Sequence, residues 1–311
     1  MLHFDAAHQA ALGEKESRAR VVASPEVVEW LMGVPPGWTD ERPLPGPAGV
    51  FAAGHGGPLA SLSLFSGCGA LDLGLARWCR PVAYCEACPA AARVLRARMA
   101  DGTLPRAPLH PDVQRLSAAD LRGVVDGVVM GFPCQDISGA GGRAGLVGAR
   151  SALVFEGVRL ADETRCRFVL LENVNSIRGM PGVWGPIFEA LGRLGFSVEW
   201  CTVGACHVGS PQRRLRWFAL ARRGDRGAAA GAAGVSAAAP AAVRRDGRPP
   251  EVAGRSGLCF NGGRPAPERW LLPKEAHAGV AERLNMLGNA VVPLQASLAA
   301  DLLGLDGGRA V

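Results

Sequence analysis

No apolar run in this sequence approaches the ~20 residues that a membrane-spanning helix needs, so no membrane partner is expected. There is no internal repeat of the kind that builds solenoids. Aromatic residues are few, and tyrosine occurs once. Metal-binding spacing is also missing: Cys85-x-x-Cys88 has no second Cys-x-x-Cys, and Cys201, Cys206 and His207 do not complete a set, so no metal is expected. No tight His/Asp cluster supports metal-dependent hydrolysis. Nine cysteines, an odd number, in a chain without an evident signal peptide argue against a disulfide scaffold. They fit a reduced protein of the cytoplasm.

What the sequence has in quantity is glycine and proline, 42 and 23 residues, together with abundant alanine. Its formal charge of +6 favours an anionic partner such as nucleic acid, although charge informs association and not fold. A chain of 311 residues is long enough for one large unit or a domain with a smaller lobe. From Leu62 onward, short apolar runs alternate with helical patterns. SLSLF (61–65), PVAYC (81–85), GVVDGVVM (123–130), RFVLLEN (167–173), FSVEWCTV (196–203) and LRWFALA (215–221) read as strands. Helices are expected over 71–79, 88–100, 151–163 and 182–195. This alternation predicts an α/β fold with a largely parallel sheet. Residues 223–250 lack periodicity and read as a flexible linker. Residues 275–305 read as two helical segments joined across GNAVVP.

Several short segments carry chemical possibilities. Phe65-Ser66-Gly67-Cys68-Gly69 follows the first strand of this region and leads into a helix, where glycines permit close approach of a ligand to free amides. Glu86, about twenty residues on, could accept hydrogen bonds from a ribose diol. FSGCG is not the full GxGxxG pattern, however, and a tight α/β turn reads equally well. Asp112 could meet an adenine amine or could be a solvated turn aspartate. Cys134 directly follows a strand, where open α/β sheets hold ligands; it is either a nucleophile on a glycine-rich loop or a small buried hydrophobe. Glu172 and Asn173 end the next apolar run. Gln212, Arg214 and Arg216 alternate into another strand and would share one side, unless QRRLR is a solvated basic turn.

Together, and in this order, these segments resemble the DNA (cytosine-5)-methyltransferase family. FSGCG is similar to its first cofactor motif, GFPCQDIS (131–138) carries its Pro-Cys-Gln, and RSALVFEGVRL (150–160) resembles the segment that follows. ENV (172–174) is similar to the family's glutamate motif, QRRLR (212–216) to its Gln-x-Arg-x-Arg, and LGNAVVP (287–293) to its final motif. The resemblance runs over residues 61–222 and 282–300. It implies a Rossmann-like, S-adenosyl-L-methionine-dependent methyltransferase sheet with a reduced target-recognition lobe. Phe65, Ser66, Gly67, Gly69, Glu86, Asp112, Pro133 and Asn289 would bind the cofactor. Cys134 would attack C6 of a cytosine flipped out of double-stranded DNA, Glu172 would support N3, and Arg214 with Arg216 would hold the carbonyl oxygen or a nearby phosphate. Gln135, Asn173, Gln212 and Arg143 would serve the substrate side, and Arg150 is a further candidate for phosphate contact. A tRNA cytosine-5-methyltransferase on the same scaffold and a non-catalytic nucleic-acid-binding protein are the alternatives.

Two departures from the family pattern stand out. Ser63 occupies the position where an aspartate often precedes the Leu-Phe of the first motif. The interval available for a recognition lobe is short, and only RSGLCFNGGRPAPERWLLPKEA (255–276) of it could be ordered. Conversely, ASPEVVEWLMGVPPGWTD (23–40) resembles a segment that relatives carry shortly before GNAVVP. Its apolar stripe of Val27, Val28, Leu31 and Met32 predicts a short helix that VPPGW stops. The expected organisation is therefore a small-lobe extension over 1–60, a catalytic domain over 61–222, the linker, a reduced recognition region over 251–281, and returning helices over 282–311. Residues 20–40 should then pack beside 260–293. The oligomeric state and the recognised DNA sequence are not legible.

Overall fold

The computed structural model describes residues 21–44, 57–133, 153–224, 271–273 and 279–305. Seven strands form one sheet: β2 (Leu59–Leu64), β3 (Cys79–Cys85), β4 (Leu109–His110), β5 (Gly127–Gly131), β6 (Phe168–Val174), β7 (Phe196–Gly204) and β8 (Leu215–Arg223). Their spatial order is β4-β3-β2-β5-β6-β8-β7. The first five are mutually parallel, and β8 runs antiparallel to both β6 and β7. The fold is a Rossmann-like α/β sheet whose reversed strand lies between β6 and β7. Every strand of the sheet expected from the apolar runs is present, and β4 is an additional two-residue edge.

Burial explains why these runs are strands. All six residues of β2 are buried, as are the first six of β6, which is the all-apolar texture of a sheet covered on both faces. Helices α4 (Leu153–Thr164) and α5 (Pro181–Arg193) supply one cover, through Val154, Leu160, Ile187 and Leu191. Helix α7 (Pro293–Leu302) covers the other with Ala296, Leu298 and Ala299. Gly127, paired with Phe168 across β5 and β6, leaves room for that ring: a Cβ there would lie 2.0 Å from Phe168 Cζ. Pro81 can occupy β3 because β4 pairs only with Tyr84 and Cys85, leaving Pro81 on an edge, and because β2 shifts register between Ser61 and Leu62 beside it.

Helix α2 is shorter than the helical pattern of 71–79. It spans Ala70–Leu75, and Cys79 already belongs to β3, paired with Leu59. Sheet pairing at Leu59 takes residues whose local pattern is equally suited to a helix. Helix α3 (Pro89–Ala100) closely matches its expected span.

Segments far apart in the sequence meet. Strand β1 (Val21–Ala23) pairs antiparallel with β9 (Leu271–Pro273). Helix α1 (Pro25–Met32), closed by Gly33 in the left-handed conformation, packs against α6 (Val280–Asn289). Val27 and Met32 are buried, whereas Val28 and Leu31 are only partly so. The unexpected inward residue is Glu29, fully buried. Its carboxylate accepts hydrogen bonds from Gly37 N (2.7 Å), Thr39 N (2.9 Å), Thr39 Oγ1 (2.6 Å) and Arg283 Nη2 (3.0 Å). No helix among the described residues is long and apolar enough to cross a membrane.

Helices α2 and α7 cross closely at Gly74. A Cβ there would stand 2.2 Å from the Pro293 carbonyl oxygen and 2.9 Å from Ala296 Cβ, and Ser297 Oγ donates to the Gly74 carbonyl. Gly74→Ala is therefore expected to lower stability by about 2 kcal/mol, the scale of overpacking in a close-packed interior. A urea-unfolding midpoint unchanged from the parent would contradict this account of the crossing.

Candidate active site

The carboxyl ends of β2, β3, β5 and β6 surround a cavity of about 960 Å³, where ligands of open α/β sheets sit. The turn after β2 is shaped by three left-handed residues, Phe65 (φ 53°), Gly67 (φ 56°) and Gly69 (φ 79°). Such a conformation is uncommon for a bulky side chain, and Phe65 adopts it on the cavity wall. Gly67 has open space where a Cβ would project; at Gly69 a Cβ would strike Leu104 Cδ1 at 2.5 Å. Glu86, at the end of β3, accepts from Gly67 N and Cys88 N, both at 2.7 Å, and so ties the turn to the neighbouring strand. Asp112 accepts from Gln114 N at 2.9 Å and lines the cavity.

The serine that replaces the family's aspartate is part of a buried polar set. Ser63 Oγ donates to Asp72 Oδ2 at 3.0 Å and lies 2.9 Å from Ser66 Oγ. Burial lifts the Asp72 carboxyl to about 7, against the Ser63 hydrogen bond that lowers it. No sequence pattern marks Asp72, whose place in α2 looks like an ordinary first-turn acid. It lines the cavity, as does Asn285. An i, i+4 relation to Asn289 was the available signal: Asn289 Nδ2 donates to Asn285 Oδ1 at 3.2 Å.

Strand β5 ends at Gly131, opposite Glu172 two residues before the end of β6. The absent side chain at Gly131 matters, because a Cβ would stand 3.1 Å from Glu172 Oε2. Gly131, Phe132 and Pro133 line the cavity. Cys134, Gln135, Arg143 and Arg150 lie outside the described residues, as does the stretch 225–270. Asn173 Nδ2 donates to the Phe132 carbonyl at 3.1 Å and its Oδ1 accepts from Val174 N at 2.8 Å. Its amide thus fastens the end of β6 to the chain leading into Pro133.

Glu172 is 7% exposed and Arg216 8%, and Arg216 Nε stands 3.2 Å from Glu172 Oε1. Burial pushes the Glu172 carboxyl up to about 7, although Arg216 and then Arg214 pull it down. Burial likewise lowers Arg216, with Glu172 opposing. A carboxyl held near neutrality beside a fixed cation can keep or give up a proton at the cavity wall.

The three alternating side chains do not all converge here. Arg216 and Glu172 both line the cavity. Arg214 Nη2 donates to the carbonyls of Leu287, Gly288 (2.8 Å) and Ala290 at the end of α6. Burial lowers its guanidinium to about 10. Gln212 Nε2 donates to the Leu31 carbonyl at 2.7 Å. Among the described residues no group of three or more His, Cys, Asp or Glu side chains could hold a metal ion.

The chain is similar to several known proteins. Type II methyltransferase M.CviJI of Paramecium bursaria Chlorella virus IL3A is 30% identical over 165 residues, covering 53% of this chain and 43% of the viral protein. Type II methyltransferase M2.BsuMI of Bacillus subtilis (strain 168) is 34% identical over 172 residues, covering 51% and 41%. The chain thus spans about two fifths of the length of these relatives. A putative DNA modification methyltransferase encoded within an E. coli prophage shares 26% identity, with a TM-score of 0.43 over 53% of this chain and 47% of that one. The family described as C-5 cytosine-specific DNA methylase matches residues 59–241, a span that takes in the whole seven-stranded sheet. With its glycine turn, its glutamate-arginine pair and its reversed strand all inside that span, the chain belongs to the C-5 cytosine-specific DNA methylase family.

Proposed function

We propose that this protein transfers a methyl group from S-adenosyl-L-methionine to C5 of a cytosine flipped out of double-stranded DNA. The observation that carries this reading is the Glu172–Arg216 pair on the wall of a cavity that also contains the glycine turn. The cavity suits the cofactor: its volume lies at the upper end of the ~300–1,000 Å³ usual for ligand pockets, Gly67 leaves an open approach, and Glu86 and Asp112 stand at successive strand ends. Phe65, Ser66, Gly67, Gly69, Glu86, Asp112, Pro133 and Asn289 would hold the cofactor, which supplies an electrophilic methyl on a sulfonium. Asp72 and Asn285 join them in the lining.

The chain's own residues would prepare the base. Cys134, next in sequence to the cavity-lining Pro133, would attack C6 as a thiolate and give C5 enamine character. Protonated Glu172 would donate at N3 as electron density builds there, and Arg216 would hold the carbonyl oxygen. Arg214 would keep the end of α6 against the site, and Asn173 would hold the strand ends together. Gln135 and Arg143 remain candidates for contacts with the base and phosphates. Loss of the C5 proton and expulsion of the thiolate would complete the cycle. Such an enzyme would work in the cytoplasm of a prokaryote or a phage-infected cell. We further read residues 1–60 as contributing, with 251–281, to a small recognition lobe. Support comes from the β1–β9 pairing and from the packing of α1 on α6.

Incubation with labelled methyl donor, duplex DNA and tRNA in parallel, followed by mapping of the modified base, tests the reading. Methylcytosine is expected in the duplex; label confined to tRNA, or found in neither, would overturn it. Cys134→Ser should lose methyl transfer by several orders of magnitude. It should also fail to form the denaturation-resistant adduct that the parent forms with a 5-fluorocytosine duplex.

The acid at N3 gives a pH prediction. Glu172 is raised, so its proton is present below about 7 and lost as pH rises through that value. The methyl-transfer rate should fall on the alkaline side of about 7. Glu172→Gln, which cannot deliver a proton, should be slower by roughly 10²–10⁴-fold at pH 6 and should lack that limb. An identical alkaline limb in the variant would assign it to another group.

A further inference from the structure

The segment 24–44 contacts the glycine turn, the approach to β8 and helix α6 without lining the cavity. Trp38 is fully buried, and its indole Nε1 donates to the Cys68 carbonyl at 3.0 Å, inside the glycine turn. Trp38 does not line the cavity, whereas Cys68 does. On the opposite flank, the Leu31 carbonyl accepts from Gln212 Nε2 (2.7 Å) and Ser210 Oγ (3.0 Å), on the approach to β8 and Arg216. Glu29 and Glu26 hold Arg283, at 3.0 and 3.1 Å, on the helix that ends at Asn289.

The segment is itself anchored from the sheet side. Arg98, fully buried on α3, donates to the carbonyls of Gly37 (3.0 Å), Trp38 (2.9 Å) and Arg42 and pairs with Asp101 at 3.0 Å. Asp101 in turn accepts from Leu44 N at 3.0 Å. Residues 29–44 are thus a fixed strut. Its far end grips a carbonyl in a turn that holds three left-handed residues within five positions.

We propose that residues 24–44 act as a built-in brace for the cofactor turn, with Trp38 as its positioning residue. A turn of that kind has several competing conformations, because its glycines lose the most freedom on ordering. The Trp38 hydrogen bond fixes the Cys68–Gly69 peptide from behind, so that the turn is already shaped when the ligand arrives. The cost of ordering it is met in folding and does not weaken binding. This inference rests on the proposed cofactor site, and it assigns Trp38 no contact with any reacting group.

Trp38→Phe keeps an aromatic ring and deletes only the donor and the second ring. Binding of S-adenosylhomocysteine by titration calorimetry is expected to weaken about 5–10-fold. Hydrogen exchange in peptides covering 64–75 should speed up in the unliganded variant and return toward the parent's protection when ligand is added. Capture of the 5-fluorocytosine duplex at saturating cofactor should stay within about twofold, a split that general destabilisation would not produce. Affinity and exchange both unchanged would overturn the brace and leave the methyltransferase reading intact; a parent protein that binds no S-adenosylhomocysteine would overturn both. Should the variant fail to fold, the parent supplies the test through the Trp38 indole N–H resonance. That resonance should already be protected from exchange in the unliganded parent and change little on ligand addition, and a rapidly exchanging Trp38 N–H in the free protein would defeat the proposal.

Discussion

A carboxyl group and a guanidinium, both nearly buried, stand 3.2 Å apart where β6 and β8 meet the cavity. Removing two charges from water costs several kcal/mol per ion, and their mutual attraction repays that only in good geometry. The pair is therefore a poor investment for stability alone. It dictates much of the surrounding architecture: Gly131 has to lack a side chain beside Glu172, and Asn173 has to hold the loop carbonyl that follows. The reversed β8 brings Arg216 opposite Val174, two residues beyond Glu172 on the neighbouring strand and on the same face. A parallel β8 would offer that end of the sheet its other terminus.

The strands were legible because a sheet covered on both faces needs almost unbroken apolar runs, and RFVLLEN or GVVM admit little else. Strand order and the reversal of β8 were not, since no local pattern encodes which neighbour an apolar strand chooses. The sheet also overrode local preference at Cys79, where pairing with Leu59 ended a pattern that would continue a helix. Within the site, identities and order pointed to Glu86, Asp112, Glu172 and Arg216, and all four reach the cavity wall. Alternation placed Gln212 and Arg214 with Arg216, but alternation holds only inside a regular strand. Residues 212 and 214 precede β8, so their side chains are free to turn to Leu31 and to the end of α6.

The least legible feature is the inward carboxylate of Glu29. On α1 it reads as part of a solvated face, and only the meeting of residues 29 and 283, far apart in sequence, makes its burial tolerable. Four donors converge on it, two from the backbone after the helix and two from side chains. Fully satisfied, such a group specifies one docking geometry. That is a more useful property than stability for a segment that must place Trp38 under a glycine turn.

The arginines deserve the same scrutiny as the net charge. A positive balance suggests phosphate binding, yet among the described residues several guanidiniums are engaged with carbonyls of the fold itself. Arg98 donates to three carbonyls and Arg214 to three more at the end of α6. Arg222 holds the carbonyls of Leu303 and Gly304 behind α7, while Arg223 holds those of Cys166 and Leu194. Arg159 reaches those of Val113 and Leu116. A planar fork of five donors suits this task better than a lysine ammonium does, because one side chain can satisfy several helix-end or loop carbonyls that no backbone donor reaches. Each of these guanidiniums joins segments distant in sequence. They keep their charge, but the donors engaged with carbonyls inside the fold are not free to fork onto a phosphate.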